Sequence, residues 1–203
     1  MNIRLIAYEK FLRHLAETDS SDVISNGGKD YAAMLYSVLL DNTADEVRIF
    51  CQSGASAVWH DPRFEESMAN FLARNPLAKL KVLTAGEPAL DSKWTDRPNV
   101  TAYHIKETDK QKIYKHFRNN RCNFAVFDSK RYRYEYDCDM FKAYGSFNDS
   151  KIAGEMIALF DNAFANAQSP VTEPLSDTMS YTLTDSNVTI DCYQTSGEVG
   201  NEA

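Results

Sequence analysis

The sequence predicts an α/β fold with a mixed, largely parallel sheet flanked by helices. Short apolar runs of strand length alternate along the chain with amphipathic segments of helical spacing. A composition of 43% hydrophobic and 12% aromatic residues is typical of a globular domain. We expect three parts: an N-terminal helix and loop over 1–27, an α/β domain over 28–168, and a tail over 169–203.

The first half of the chain is predicted to contain three helices and three strands. Residues 3–16 carry apolar side chains at helical spacing, and Asn26-Gly27-Gly28 indicates a turn before a second helix. Asp61-Pro62 supplies an N-cap and a proline at the first position of a third helix. The strands predicted in this half are 46–51, 80–84 and 99–104.

The second half is predicted to contain three further strands and a long helix. A basic helix or loop over 108–119 comes first. A short polar turn separates 123–128 from 131–137, which predicts an antiparallel pair. A last strand over 141–145 leads into a helix over about 150–167, whose apolar side chains recur at helical spacing.

The net charge of −7 describes the tail rather than the domain. No Lys or Arg follows Lys151, and residues 169–203 carry six carboxylates. Residues 1–168 have 22 basic and 23 acidic side chains and are close to neutral. The polar composition of 169–203 predicts a disordered acidic tail, although alternation over 180–190 is also compatible with an edge strand.

Several classes of protein are disfavoured. No apolar run approaches the roughly 20 residues that cross a bilayer, and charges interrupt the N-terminus too early for a secretory signal. The four cysteines lack a C-x-x-C pair and indicate reduced thiols in a cytoplasmic protein. His14, His60 and His104 have no metal-ligand spacing, so we expect neither a metal nor another cofactor.

The strongest local signal is positive charge over 106–133, a segment that contains nine Lys and Arg and three carboxylates. Such a segment attracts polyanions, although it is equally compatible with a solvated helix face. The nucleic-acid-binding candidates are Lys110, Lys112, Lys115, Arg118, Arg121 and Arg131.

The segment 131–137 alternates charges with tyrosines. In a strand, Arg131, Arg133, Glu135 and Asp137 share one face, and Tyr132, Tyr134 and Tyr136 share the other. An arginine fork binds a phosphate with two hydrogen bonds, and a neighbouring carboxylate orients that fork. We therefore predict that Arg133 binds phosphate and that Glu135 orients it. The alternative is an edge strand whose charges pair with one another.

Two later segments carry a family resemblance. The strand 123–128 ends in Asp128, and Gly145-Ser146-Phe147-Asn148 precedes the last helix. Over about 28–167 this order resembles one half of the phospholipase D superfamily, in which a strand with H-x-K precedes an Asp and a strand ending in G-S-x-N. The resemblance implies a phospholipase D-like fold, phosphate contacts from Ser146 and Asn148, and a homodimer paired across the motif strands.

The resemblance is to a degenerate member of that family, because the His position falls near Asn123 and the Lys position near Ala125. An amide is not a nucleophile for phosphoryl transfer, and alanine carries no charge. The first hypothesis is therefore a protein that binds phosphodiesters with little activity of its own, similar to bacterial or phage accessory proteins of nucleic-acid processing or defence.

Two other hypotheses are compatible with the sequence. One is a metal-independent phosphodiesterase or nuclease with a rearranged site, in which Glu135 or Asp128 is the base and Arg133 stabilises charge, with Asn123 as a further candidate catalytic residue. The other is a non-enzymatic interaction module whose acidic tail binds a basic protein partner or folds back on the basic segment.

Overall fold

The computed structural model describes residues 3–86, 90–118 and 121–168, which form one seven-stranded sheet and six helices. The helices are α1 Ile3–Glu17, α2 Lys29–Asp41, α3 Pro62–Arg74, α4 Ser92–Thr95, α5 Glu107–His116 and α6 Ser150–Gln168. The strands are β1 Ile24–Asn26, β2 Glu46–Cys51, β3 Lys79–Thr84, β4 Val100–His104, β5 Asn123–Phe127, β6 Arg131–Asp137 and β7 Lys142–Ser146. None of the described helices is long and apolar enough to cross a membrane.

The strand order in the sheet is β1-β7-β6-β5-β2-β3-β4. Only the pairs β2–β3 and β3–β4 are parallel, and the other four pairs are antiparallel. The mixed α/β class is confirmed, but the prediction of a largely parallel sheet is wrong. The reason is connection length, because the turns 128–130 and 138–141 are too short to return the chain to a parallel neighbour.

The sheet separates two layers of apolar side chains. On one face α1, α2 and α3 pack against inward side chains such as Ile49 and Phe127. On the other face α5 and α6 pack against Phe50 and Phe124. Adjacent residues therefore contribute to opposite layers, as the alternation of a strand requires. Helix α2 is the most enclosed helix, with nine buried residues.

The predicted strands and long helices are present, with ends that differ by one or a few residues. Asp61 is the N-cap of α3 as predicted, and its side chain accepts a hydrogen bond from the backbone N–H of Arg63 at 3.1 Å. The sequence does not predict β1 or α4, which have three and four residues. The tail over 169–203 and the alternative edge strand over 180–190 lie outside the described residues.

Asp128 joins the β5–β6 turn to the start of β2. It has a left-handed backbone with φ of 53°, and its carboxylate accepts hydrogen bonds from the N–H groups of Ala44, Asp45 and Glu46 at 3.1, 2.9 and 3.2 Å. Arg131 donates to the same carboxylate at 3.4 Å. Asp128 is therefore engaged in holding two segments together that are more than 80 residues apart in sequence.

We expect Asp128→Ala to lower the free energy of unfolding by about 1 to 2 kcal/mol, because three backbone donors lose a charged acceptor. Asp128→Asn should lower the free energy of unfolding by less, since asparagine keeps one acceptor oxygen and tolerates the left-handed backbone. Urea unfolding of both variants measures the difference. Equal losses would contradict a role for the carboxylate oxygens.

Candidate functional site

Strand β6 places Arg133 and Glu135 inside the protein, on the face of the sheet that α2 covers. The two residues are 1% and 2% exposed. The Nη1 of Arg133 lies 2.7 Å from Oε2 of Glu135, so the pair forms a buried salt bridge. Tyr132 and Tyr134 belong to the opposite layer, which confirms the predicted alternation at these four positions.

Further contacts occupy the polar atoms of this pair. Asn123 lies opposite Glu135 in the β5–β6 register, and its Nδ2 donates to Oε1 of Glu135 at 2.5 Å. The Nη2 of Arg133 donates to the carbonyl of Phe141 at 3.3 Å. The guanidinium also lies 5.0 Å from the ring centroid of Tyr36, which is cation–π geometry. Burial raises the pKa of the Tyr36 hydroxyl, so this group stays neutral.

A chain of hydrogen bonds ties this network to the loop after β2. The Oδ1 of Asn123 accepts from the backbone N–H of Gln52 at 2.8 Å. The side chain of Gln52 donates to the carbonyl of Cys122 and accepts from the hydroxyl of Tyr114, both at 2.8 Å. Asn123 therefore acts as a bridge between the loop and Glu135.

The loop over 52–60 closes the site. Val58 and Trp59 are 5% and 4% exposed, and they line a cavity together with Arg133, Glu135 and Asn123. This cavity has a volume of about 20 Å³, which is enough for about one water molecule. A phosphate does not fit. The phosphate-binding role predicted for Arg133 therefore requires that the loop move away.

Three free thiols, those of Cys51, Cys122 and Cys138, lie near the same carboxylate. Burial is the largest cause that raises the pKa of each thiol to about 12, and the negative charge of Glu135 contributes to the same rise. No group of three or more His, Cys, Asp or Glu in the described part of the chain is suited to hold a metal ion.

Gly145 of the G-S-x-N segment lies opposite Arg133 in the β6–β7 register, whereas the polar side chains of the segment, those of Ser146 and Asn148, lie away from Arg133 and serve the turn that precedes α6. A Cβ on Gly145 would lie 2.9 Å from the carbonyl oxygen of Tyr132, so β7 and β6 approach too closely for a side chain there. Ser146 pairs with Tyr132 and points to the opposite face from Arg133. Its Oγ accepts from the N–H of Asn148 at 3.3 Å, and the Asn148 side chain donates to the carbonyl of Asp19 at 3.2 Å.

The predicted catalytic residues are divided between the two ends of β5. Asn123 begins the strand beside Glu135, whereas Asp128 follows its last residue, about 16 Å of extended chain away. The structure therefore brings together Asn123, Arg133 and Glu135 and leaves Asp128, Ser146 and Asn148 elsewhere.

The basic residues of the 106–133 segment divide into paired and unpaired cations. Lys110 pairs with Glu107, Lys112 with Asp109 at 2.7 Å, Arg121 with Asp139 at 3.5 Å, and Arg131 with Asp128 at 3.4 Å. Lys115 and Arg118 are exposed at the end of α5 and form no ion pair with another described residue. The exposed positive charge is therefore concentrated at this helix end.

Sequence reasoning did not find Gln52, Tyr36 or Tyr114. Tyr36 lies on an almost fully buried helix, and its place among apolar residues is typical of core packing. Gln52 and Tyr114 are distant in sequence from β6 and meet it only through the fold. No local pattern marks them.

No protein-family model and no curated protein sequence matches the chain. The solved structures similar to this chain include TrmBL2 and NucT. TrmBL2, an archaeal chromatin protein whose structure shows a novel mode of DNA binding, is 12% identical with a TM-score of 0.50, and the match covers 81% of this chain. NucT from Helicobacter pylori is 9% identical with a TM-score of 0.48, covering 72% of this chain and 98% of NucT.

The likeness to TrmBL2 shows a shared fold. The match covers 61% of the TrmBL2 chain, so this chain spans less than two thirds of its length.

We expect Arg133→Met to lower the free energy of unfolding by about 3 to 5 kcal/mol, because it leaves the Glu135 carboxylate buried without its cation. Adding Glu135→Gln should restore more than half of that loss, since the amide oxygen still accepts from Asn123 and no buried charge remains. Urea unfolding of the single and double variants measures this. A loss below about 1 kcal/mol for Arg133→Met would contradict a structural salt bridge.

The thiols near Glu135 should react very slowly with disulfide reagents in the folded protein. At pH 8 a thiol with a pKa of about 12 is ionised in roughly one molecule in ten thousand, and only the thiolate reacts with a disulfide reagent. In a Cys192→Ser variant we expect no labelling by Ellman's reagent within minutes, and labelling of all three thiols in urea. Rapid labelling of more than one thiol in the native variant would contradict the burial of Cys51 and Cys122.

Proposed function

We propose that this chain is a nucleic-acid-binding protein that does not hydrolyse phosphodiesters by itself. The observation that carries the proposal is the closed network of Arg133, Glu135 and Asn123. By the resemblance Asn123 stands near the position of the family's catalytic histidine, and the polar atoms of all three residues are engaged with one another beneath the loop over 52–60.

Hydrolysis would need a nucleophile or base beside a group that stabilises the transferred phosphoryl charge. Arg133 is neutralised by Glu135 and is 1% exposed, so it has no free positive charge to offer a substrate. Asn123 has no nucleophilic atom, and Asp128 is engaged with three backbone amides at the other end of β5. These arrangements favour binding without chemistry.

The binding surface we propose is the end of α5. Lys115 and Arg118 are exposed there, and Lys112 lies one turn earlier with 65% of its side chain exposed. Cations concentrated at the C-terminal end of a helix are also favoured by the helix dipole, which helps to keep them ordered. We assign the first phosphate contacts to Lys115 and Arg118.

The similarity in fold to TrmBL2 supports the proposal of nucleic-acid binding. TrmBL2, which shares the fold, is described as a DNA-binding chromatin protein. At 12% identity the likeness does not carry residue roles over, so the assignment to α5 rests on charge and exposure alone. The predicted homodimer and the predicted basic partner of the tail over 169–203 stay predictions.

We expect the protein to bind DNA or RNA at low salt, and the affinity to fall as salt rises. The double variant Lys115→Gln/Arg118→Gln should reduce the slope of log K against log salt for duplex DNA by roughly 1.8, because each lost phosphate contact contributes about 0.9. Fluorescence anisotropy over a salt series measures both quantities. Incubation with nucleic acid should yield no cleavage products, with or without EDTA.

The matched control is Lys10→Gln/Lys29→Gln, which removes the same charge from exposed positions of α1 and α2. This control should retain the wild-type slope. Equal reductions of the salt slope by the two double variants would contradict the assignment to α5. Absence of binding at low salt, or turnover that requires Glu135, would overturn the proposed function.

A further inference from the structure

An aromatic groove lies on the face of the sheet opposite to Arg133. It has a volume of about 410 Å³ and is formed by β6 and β7 on one side and by the end of α5 and the first turns of α6 on the other. Its lining includes Tyr134, Tyr144, Phe117, His116, Ile152 and Val23. The volume is within the range of pockets that bind small organic groups.

The aromatic rings of this groove are already arranged as a stacking surface. Phe117 and Tyr134 are stacked with centroids 4.6 Å apart and an interplanar angle of 22°. Tyr144 stacks on Tyr136 at 4.9 Å and 27°, and it remains 44% exposed. Val23, beside it in the groove, is 62% exposed. Large apolar groups this exposed around one concavity are typical of a binding surface.

Positive residues lie next to lining residues of the groove along α5 and β7. Lys115 and Arg118 flank its members His116 and Phe117 at the end of α5. Lys142 is two residues before Tyr144, so it lies on the same face of β7, where it is 47% exposed and pairs with Asp137 at 3.4 Å. The acidic residue in the lining is Glu155, whose Oε2 lies 3.7 Å from Nε2 of His116. The rim therefore favours an anionic ligand whose centre is flat and apolar.

We infer that this groove binds an unpaired nucleobase of a single-stranded nucleic acid, with Tyr144 as the stacking residue and the adjacent phosphates at Lys115 and Arg118. The inference rests on the proposed function and narrows its ligand. In a duplex each base face is covered by its neighbours, so an aromatic surface selects unpaired bases. A second groove of about 480 Å³ shares His116 and Glu155 with this one and continues between α5 and α6.

The test compares binding of a labelled single-stranded oligodeoxynucleotide and the corresponding duplex to the full chain. Tyr144→Ala should weaken single-strand binding roughly 5- to 150-fold, the loss expected for one base–aromatic stack, and leave duplex binding unchanged. Tyr144→Phe keeps the ring and should stay within about twofold of wild type. Phe11→Ala, which removes a 49% exposed ring from α1, is the matched control and should have no effect.

The outcomes separate this inference from the proposed function. If the wild type binds and Lys115→Gln/Arg118→Gln weakens binding while Tyr144→Ala does not, the groove assignment is overturned and the proposed function stands. Equal weakening of single-strand and duplex binding by Tyr144→Ala also overturns it. If the wild type binds neither ligand at low salt, both proposals fail.

Discussion

Strand β6 brings a positive and a negative side chain into the interior of the sheet, and much of the site follows from that burial. A charge removed from water is tolerated only when a partner and hydrogen bonds replace its hydration. Glu135 supplies the partner of Arg133, and Asn123 and the Phe141 carbonyl supply hydrogen bonds. Asn123 in turn accepts a hydrogen bond from the backbone of Gln52, the first residue of the loop over 52–60, and Val58 and Trp59 of that loop lie over the pair. An open phosphate site is incompatible with this arrangement.

The same strand presents a different chemistry on its other face. Alternation sends Tyr132 and Tyr134 towards α6, where they meet Tyr144 of β7 and Phe117 after α5. This side is open, aromatic and bordered by exposed cations, whereas the Arg133 side is closed and internally neutralised. The fold thus separates a structural polar network from a surface suited to recognition, and a single seven-residue strand contributes to both.

Local sequence patterns predict much of the fold, and there are physical reasons why they do not predict the rest. The alternation of 131–137 predicts which side chains share a face, because the period of a strand is independent of its neighbours. The same pattern does not reveal whether that face is open, since closure depends on Val58 and Trp59, more than 70 residues earlier. Strand β1 has one large apolar residue and exists through its pairing with β7, and the antiparallel β2–β5 contact joins strands distant in sequence.

The measurement that tests the central claim most directly is an NMR titration of the uniformly ¹⁵N-labelled protein with a single-stranded oligonucleotide. Our account predicts that the amide signals of Lys115, Arg118 and Tyr144 shift with added ligand, while the side-chain N–H signals of Asn123 and Arg133 do not. The buried pair is separated from the groove by the sheet itself, so the two sets report on opposite faces. Shifts confined to the side-chain N–H signals of Asn123 and Arg133 would contradict the account and would indicate that the loop over 52–60 opens to admit phosphate.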